Sequence, residues 1–373
     1  MRVLHVTDTY LPRRGGIELH VHDLARAQRA AGHEVDVLTL TRAGDALPAD
    51  SAGLLLRPAN DAGLLAKARF TRDQRRRGAD AGYDVVHAHC STVSPLVFAS
   101  AAVAEVPTVV TVHSLWRRYT ALYRAADATV GWSRWPVQWS AVSAAAADAV
   151  RRAAVRSLDV QVISNGVDVS AWPRQPHHAA PGRLRVASVM RLAPRKRPIA
   201  LLRMIREVAA AVPAHTDFSA VIIGDGPEAE PMRRYLRRHR LEHLVTLTGH
   251  LPRVEIARRL ASADVYLAPA TLESFGIAAL EAAVAGLPVL GRAGTGLAEF
   301  VGAGKGGLLV DSDAAMVRTL VELAHGTAAL DPVHPETLVE MSWPAVVERT
   351  HALYVRAGLA ADRVTAAVAS QAS

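Results

Sequence analysis

The feature that most restricts this chain is an alternation of short and long runs that occurs twice. Apolar runs of strand length stand at Arg2–Thr7, Val35–Leu40, Asp84–His87 and Thr108–Val112, with a helically spaced stretch at Ile17–Ala31 closed by Gly32. The pattern restarts at Leu184–Val189 and continues through Ser219–Ile223, Leu244–Leu247, Asp264–Ala268, Pro288–Leu290 and Gly307–Val310. Helical spacing lies between these runs at Ile199–Ala210, Val254–Ser262 and Glu273–Ala285. Strands separated by helices pair in parallel through crossovers and are covered on both faces. The sequence therefore predicts an α/β protein of two doubly wound, Rossmann-like domains.

A chain of 373 residues suits two domains at roughly 100–200 residues each. The join is expected between Val169 and Pro181, where AWPRQPHHAAPG has the composition of a linker. The expected division is 1–170, 182–341 and 342–373. The last part would hold one more helix at Ser342–Val355, with Trp343 and Tyr354 as packing anchors, and then a fraying tail of small residues. Aromatics are only 5% of the residues, so the cores are expected to be mostly Val, Leu and Ala.

Cys90 is the only cysteine, which rules out an intrachain disulfide or a cysteine zinc cluster and fits a reducing compartment. MRVLHVTDTYLP turns polar too soon for a signal peptide. The longest apolar stretch, PLVFASAAVAEVPTVVTV, contains Glu105 and a proline and reads as helix then strand. The expected location is the cytoplasm, with any membrane met from the side, at the inner face of the cell membrane. A formal charge of +8 makes anionic partners reasonable but does not choose among nucleotide, phospholipid surface and nucleic acid. The tract Arg72–Arg77 reads either as a solvated helix face or as a contact for an acceptor or membrane. The arginines at 233, 234, 237, 238 and 240 read as solvent-facing.

Chemistry concentrates where strands end. Gly15 and Gly16, in PRRGGIE after the first strand, let backbone approach a ligand at a helix N-terminus. The spacing is not GxGxxG, so a dinucleotide fingerprint is absent. Gly224 and Gly226, in GDGP, suit either a ligand or a tight turn. Arg191 and Lys196 follow a strand in RLAPRKRP, where a planar fork beside a mobile point charge suits a diphosphate, the alternative being a solvated basic loop that also holds Arg195 and Arg197. Glu273 precedes a helix, Phe275 and Gly276 bring its first N–H groups, and Glu281 either accepts both hydroxyls of a ribose or is a solvent-facing helical residue. Gly294-Thr295-Gly296 is expected beside them. His113 ends one strand and His87 and His89 end its neighbour. They lack a tight metal motif or a suitably spaced carboxylate, so no metal is expected; they read either as core or supporting residues or, for His113, as a substrate contact.

On these motifs the chain resembles the retaining glycosyltransferase family 4, which has the two-Rossmann GT-B architecture with the domains facing a central cleft. The most specific element is the E-x7-E pattern in ESFGIAALE. PRRGGIE, His113, SNGVD at 164–168, RLAPRK, GDGP and ADVYLAPA stand in family order. The resemblance implies that the C-terminal domain holds a nucleotide-sugar donor and the N-terminal domain most of the acceptor site. It implies donor-phosphate contact by Gly16, diphosphate binding by Arg191 and Lys196, and ribose binding by Glu281. Glu273 with Ser274, Phe275 and Gly276 would meet sugar and phosphates, and His113 the transferring sugar. It also implies no required metal or other cofactor, no specific nucleic acid, and a C-terminal helix that crosses back to the first domain. The acceptor is a hydroxyl of unknown identity, anionic or lipid-linked in expectation. A GT-B epimerase or phosphorylase, or a non-catalytic sugar-nucleotide binding module, stays open as the alternative. One departure stands out: the family commonly has Gly after the diphosphate lysine, and this chain has Arg197 and Pro198, an arginine that could change donor affinity. The SLWRRYT loop after His113 adds bulk and charge on the expected acceptor side.

Overall fold

The computed structural model describes residues 1–13, 15–41, 55–56, 82–92, 94–101, 106–174 and 181–372. The tract Arg72–Arg77 and the linker residues 175–180 lie outside the described residues. The chain divides into two compact units, Met1–Gly166 with Trp343–Ser373, and Val167–Ser342.

The first unit is built on a parallel sheet of β1 (Arg2–Thr7), β2 (Glu34–Thr39), β3 (Leu55–Leu56), β4 (Val85–Cys90), β5 (Thr108–Val112), β6 (Gln138–Ala141) and β7 (Val160–Val162). Its order is β3-β2-β1-β4-β5-β6-β7, so the direction of strand addition reverses between β1 and β4. β4 and β5 are buried along their whole length, which is why they read as continuous apolar runs. β6 and β7, of four and three residues, were not singled out in the sequence. Helices α1 (Gly16–Ala30), α2 (Pro95–Ala101), α3 (Thr120–Val130) and α4 (Ala144–Ala153) complete the crossovers. α4 is started by Ser143, whose hydroxyl accepts the Ala146 N–H at 3.1 Å.

The aromatic residues are few but central. Trp116, Trp132 and Trp139 are fully buried, and Trp116 stacks on Tyr123 at 3.9 Å and meets Trp132 edge-on at 5.8 Å. In the SLWRRYT loop Trp116 therefore faces inward, while Arg117, Arg118 and Tyr119 are exposed.

The second unit carries β8 (Arg183–Val189), β9 (Asp217–Ile223), β10 (Val245–Leu247), β11 (Val265–Ala268), β12 (Val289–Arg292) and β13 (Leu308–Val310). They form a parallel sheet ordered β10-β9-β8-β11-β12-β13, with its reversal between β8 and β11. The helices are α5 (Pro198–Ala211), α6 (Ala229–His239), α7 (Arg253–Ala261), α8 (Ile277–Val284), α9 (Asp313–His325) and α10 (Pro335–Glu340). Leu201, Leu202, Ile205 and Val208 of α5 and Met316, Leu320 and Leu323 of α9 pack on β8 and its neighbours in one core.

The unit boundary falls at Gly166, ahead of the proline-rich stretch, and not between 170 and 182. The Val167 N–H donates to Met341 O at 2.9 Å, and Val167 bridges to Ser342, so residues 167–170 are held by the end of the second unit. The last helix, α11 (Trp343–Ala372), belongs to the first unit. Leu353, Tyr354 and Ala357 pack there with Val3, Val21, Ala25, Val85 and Val109. The helix outruns the expected end near Val355, because the tail is rich in alanine, the strongest helix former. Among the described residues no helix is long and apolar enough to cross a membrane.

Candidate active site

In the second unit the strand reversal puts the carboxyl ends of β8 and β11 side by side, where open α/β sheets take ligands. The RLAP loop leaves β8 there. Met190 N–H donates to Ile223 O at 3.0 Å, Leu192 N–H to Asp225 O at 2.9 Å, and Glu228 N–H to Leu192 O at 2.9 Å. Gly224 (φ 135°) and Gly226 (φ 155°) make this packing possible, since a Cβ on either would collide with the carbonyl of Met190 or Leu192. Their visible work is to let two backbones touch and so to fix the loop that carries Arg191, which is exposed.

Lys196 ends a short 3-10 turn and forms an ion pair and hydrogen bond with Glu273, both side chains being mostly buried. The turn closes on Arg197 in the left-handed region (φ 60°, ψ 43°), which accounts for the glycine usual in the family. The Arg197 guanidinium has partners other than the Lys196–Glu273 pair. It grips both oxygens of Asp313 at 2.9 and 2.6 Å and donates to Pro269 O at 3.0 Å. Arg197, with Arg292, holds the Asp313 carboxyl below its ordinary value, burial opposing. The added arginine is thus a brace to the start of α9.

Glu273 lies in the loop before α8. The helix starts at Ile277, not at Glu273, because Gly276 adopts φ 97° at the cap. Gly296 N–H donates to Glu273 O at 2.8 Å, so the Gly294-Thr295-Gly296 loop packs against this segment as expected. The Phe275 ring is buried 5.5 Å from Phe300 and anchors the loop, while Ser274 and Gly276 are partly accessible. Glu281 is buried to 9% exposure, with Arg253 of α7 at 3.5 Å. It is not a solvent-facing helix residue, and Arg253 is a neighbour that the sequence did not single out.

In the first unit Gly15 caps α1 in an extended conformation and Gly16 is exposed. The Glu18 carboxylate folds back over Gly15, and Arg13 pairs with it at 3.2 Å. The helix end foreseen as an anion site thus carries an internal carboxylate, as the helix dipole favours.

His113, 5% exposed, stands at the end of β5, and burial pushes its pKa down to about 3. Its Nε2 lies 3.0 Å from His89 Nδ1, and His89 Nε2 lies 2.8 Å from His5 Nδ1. His5 Nε2 reaches Gln28 Oε1 at 2.7 Å, and Gln28 Nε2–H donates to the Tyr354 hydroxyl at 2.9 Å. Burial depresses His5 to about 4 and holds His20, His87 and His89 well below the ordinary value. His5, His87 and His89, and likewise His20, His89 and His113, each offer ligand atoms within 4.8 Å of one another. An ion there would have to displace the bonds between His5, His89 and His113.

Sequence reading placed His87, His89 and His113 together but missed His5, His20 and Gln28, and took Tyr354 for packing alone. One signal was available. Gln28 continues the buried stripe Val21, Leu24, Ala25 of α1, a polar residue at a core position. Gly166 also has a visible reason, since a Cβ there would run into the Trp343 ring.

Residues 173–327 match the glycosyl transferases group 1 family and residues 14–171 match glycosyltransferase family 4. A glycogen synthase of Mycobacterium tuberculosis is 29% identical over 348 residues, 83% of this chain and 82% of that one. A phosphatidyl-myo-inositol mannosyltransferase of Mycolicibacterium smegmatis is 31% identical over 317 residues, 80% and 78% of the two chains. The crystal structure of Anabaena HepE in complex with UDP and glucose superposes with a TM-score of 0.72 at 18% identity, covering 94% of this chain and 98% of that one.

Proposed function

From a chain that belongs to glycosyltransferase family 4, with the group 1 donor-side family in its second half, and is therefore a glycosyltransferase, we propose transfer of a sugar from a nucleoside-diphosphate sugar to an acceptor hydroxyl, with retention at the anomeric carbon. An α-linked donor then gives an α-glycoside. The observation that carries this reading is the meeting of Lys196 and Glu273 where β8 and β11 end, with Glu281 buried one turn into α8.

Lys196 and Glu273 neutralise each other in the absence of ligand. An arriving diphosphate offers Lys196 a stronger anion, and Glu273 is released toward the sugar. As the bond to the leaving phosphate breaks, Arg191 and Lys196 stabilise the charge that develops on it, a task at which fixed cations are effective. The N–H groups of Ser274 and Gly276, at the start of α8, share that charge. Glu281 accepts the ribose hydroxyls, and His113 holds a hydroxyl of the transferring sugar. Gly15 and Gly16 bring the α1 end to the phosphate, with Glu18 displaced. The leaving phosphate takes the acceptor proton on the same face, so no metal or other cofactor enters the scheme. A phosphorylated or lipid-linked acceptor fits the charge of +8, and would be met in the cytoplasm or at the inner membrane face.

The test is nucleotide release across UDP-, GDP- and ADP-sugars, offered with phosphatidylinositol, inositol phosphate and glucan acceptors. The anomeric configuration of the product is read by NMR. Lys196→Ala is expected to lower turnover by about 100-fold or more while costing about 1–2 kcal/mol of stability, since it leaves the mostly buried Glu273 carboxylate without its cation. Equal losses of stability and activity would overturn the assignment of Lys196, and an inverted product would overturn retention.

A further inference from the structure

Eight buried polar groups of the first unit form one chain with a direction. It runs from His113 through His89, His5 and Gln28 to Tyr354. From there it passes to His87 Nδ1 at 2.8 Å, from His87 Nε2 to Thr111 Oγ1 at 2.7 Å, and on to Ser140 Oγ at 2.6 Å. A neutral imidazole has one donor and one acceptor nitrogen, and an amide oxygen only accepts. The carbonyl of Gln28 faces His5, so His5 carries its proton on Nε2 and offers a bare Nδ1. His89 must then donate from Nε2, and His113 in turn must donate from Nε2 to His89 Nδ1. On the other side, the Gln28 NH2 donates to Tyr354, Tyr354 donates to His87 Nδ1, and His87 Nε2–H donates to Thr111.

Turning over the Gln28 amide would reverse every donor at once. The four rings would then all be Nδ1–H, and His113 would present an N–H where it now presents a lone pair. The orientation seen gives all four the Nε2–H form, which an isolated neutral histidine side chain favours. That common preference, added over four rings, holds the amide one way round. Among the described residues His113 Nδ1 has no hydrogen-bond partner, and unlike Nδ1 of the neighbouring His20 it is not fully buried.

We infer that Gln28, steadied by Tyr354 of the C-terminal helix, sets the tautomer of His113 three hydrogen bonds away, so that His113 meets its ligand through a bare Nδ1. Such an atom accepts from a hydroxyl and repels an anionic oxygen, so it selects the sugar end of a ligand over its phosphates. Gln28, His5, His89 and Tyr354 are positioning residues. The identity of the ligand rests on the transfer reading above; the tautomer does not.

The experiment is long-range proton–nitrogen NMR on the full-length protein with 15N-labelled histidine and no ligand, with His113 assigned by its loss in His113→Gln. Expected are a bare Nδ1 and a protonated Nε2 on His5, His87, His89 and His113. In Tyr354→Phe and in Gln28→Leu the His113 signals are expected to move to positions averaged between the two tautomers, with the circular dichroism unchanged. A protonated or mixed Nδ1 on His113 in the unaltered protein overturns the inference, as do His113 shifts unmoved in both variants. If neither variant folds, the spectrum of the unaltered protein decides alone. A failed tautomer lock leaves the transfer reading standing, and a screen without nucleotide release leaves the lock standing without its ligand.

Discussion

Lowering the pH should unfold the first unit, and the size of the effect follows from its five buried rings. His5, His20, His87, His89 and His113 are neutral when folded, because burial depresses each below the ordinary value of 6.5. In the unfolded chain each returns to that value and binds a proton as the pH falls. The stability these groups contribute is therefore complete above pH 6.5 and is lost from there down toward pH 3–4, where His113 and His5 titrate in the folded state. Between pH 7 and 5.5 each ring costs about 1.2 kcal/mol, so five cost about 6 kcal/mol. Asp8, whose carboxyl is raised by burial, opposes this by binding its proton more readily when folded. A loss of that size is comparable with the whole stability of a typical domain, roughly 5–15 kcal/mol. The assay is urea denaturation at a series of pH values, followed by tryptophan fluorescence. Trp116, Trp132, Trp135, Trp139 and Trp343 belong to the first unit and dominate the signal. A slope below about 3 kcal/mol per pH unit near pH 5.5, the uptake of roughly two protons, would refute the picture of five neutral buried rings.

Two further substitutions test the second unit. Arg197→Ala keeps a side chain in the left-handed conformation and loses the Asp313 brace, whereas Arg197→Gly loses the brace but relieves the backbone. Glycine is therefore expected to be the more stable of the two by about 1 kcal/mol in urea unfolding, and the reverse order would contradict the strain assigned to Arg197. Gly226→Ala drives a Cβ into the Leu192 carbonyl at φ 155°. It should cost about 2–4 kcal/mol, read as a fall in the urea midpoint, and a neutral result would show that the loop moves aside freely.

The double series of apolar runs, the glycine pairs and the E-x7-E spacing were enough to specify two doubly wound units and the family. Those features are local: an apolar run buried on both faces, or a charge one turn into a helix, is written in consecutive residues. Lys196 and Glu273 could be proposed for one site by the rule that ligands gather at strand ends. Their pairing, 77 residues apart, depends on the strand order of the folded sheet. The partner of Arg197 is 116 residues away, so the sequence showed an extra charge where the fold shows a brace. The link from Gln28 to Tyr354 spans 326 residues and exists only because the last helix packs on the first unit. Sequence set which residues were polar and which strands they ended. Only the tertiary structure determined which polar groups share a proton, because a hydrogen bond requires contact within about 3 Å, and no pattern along the chain carries that distance.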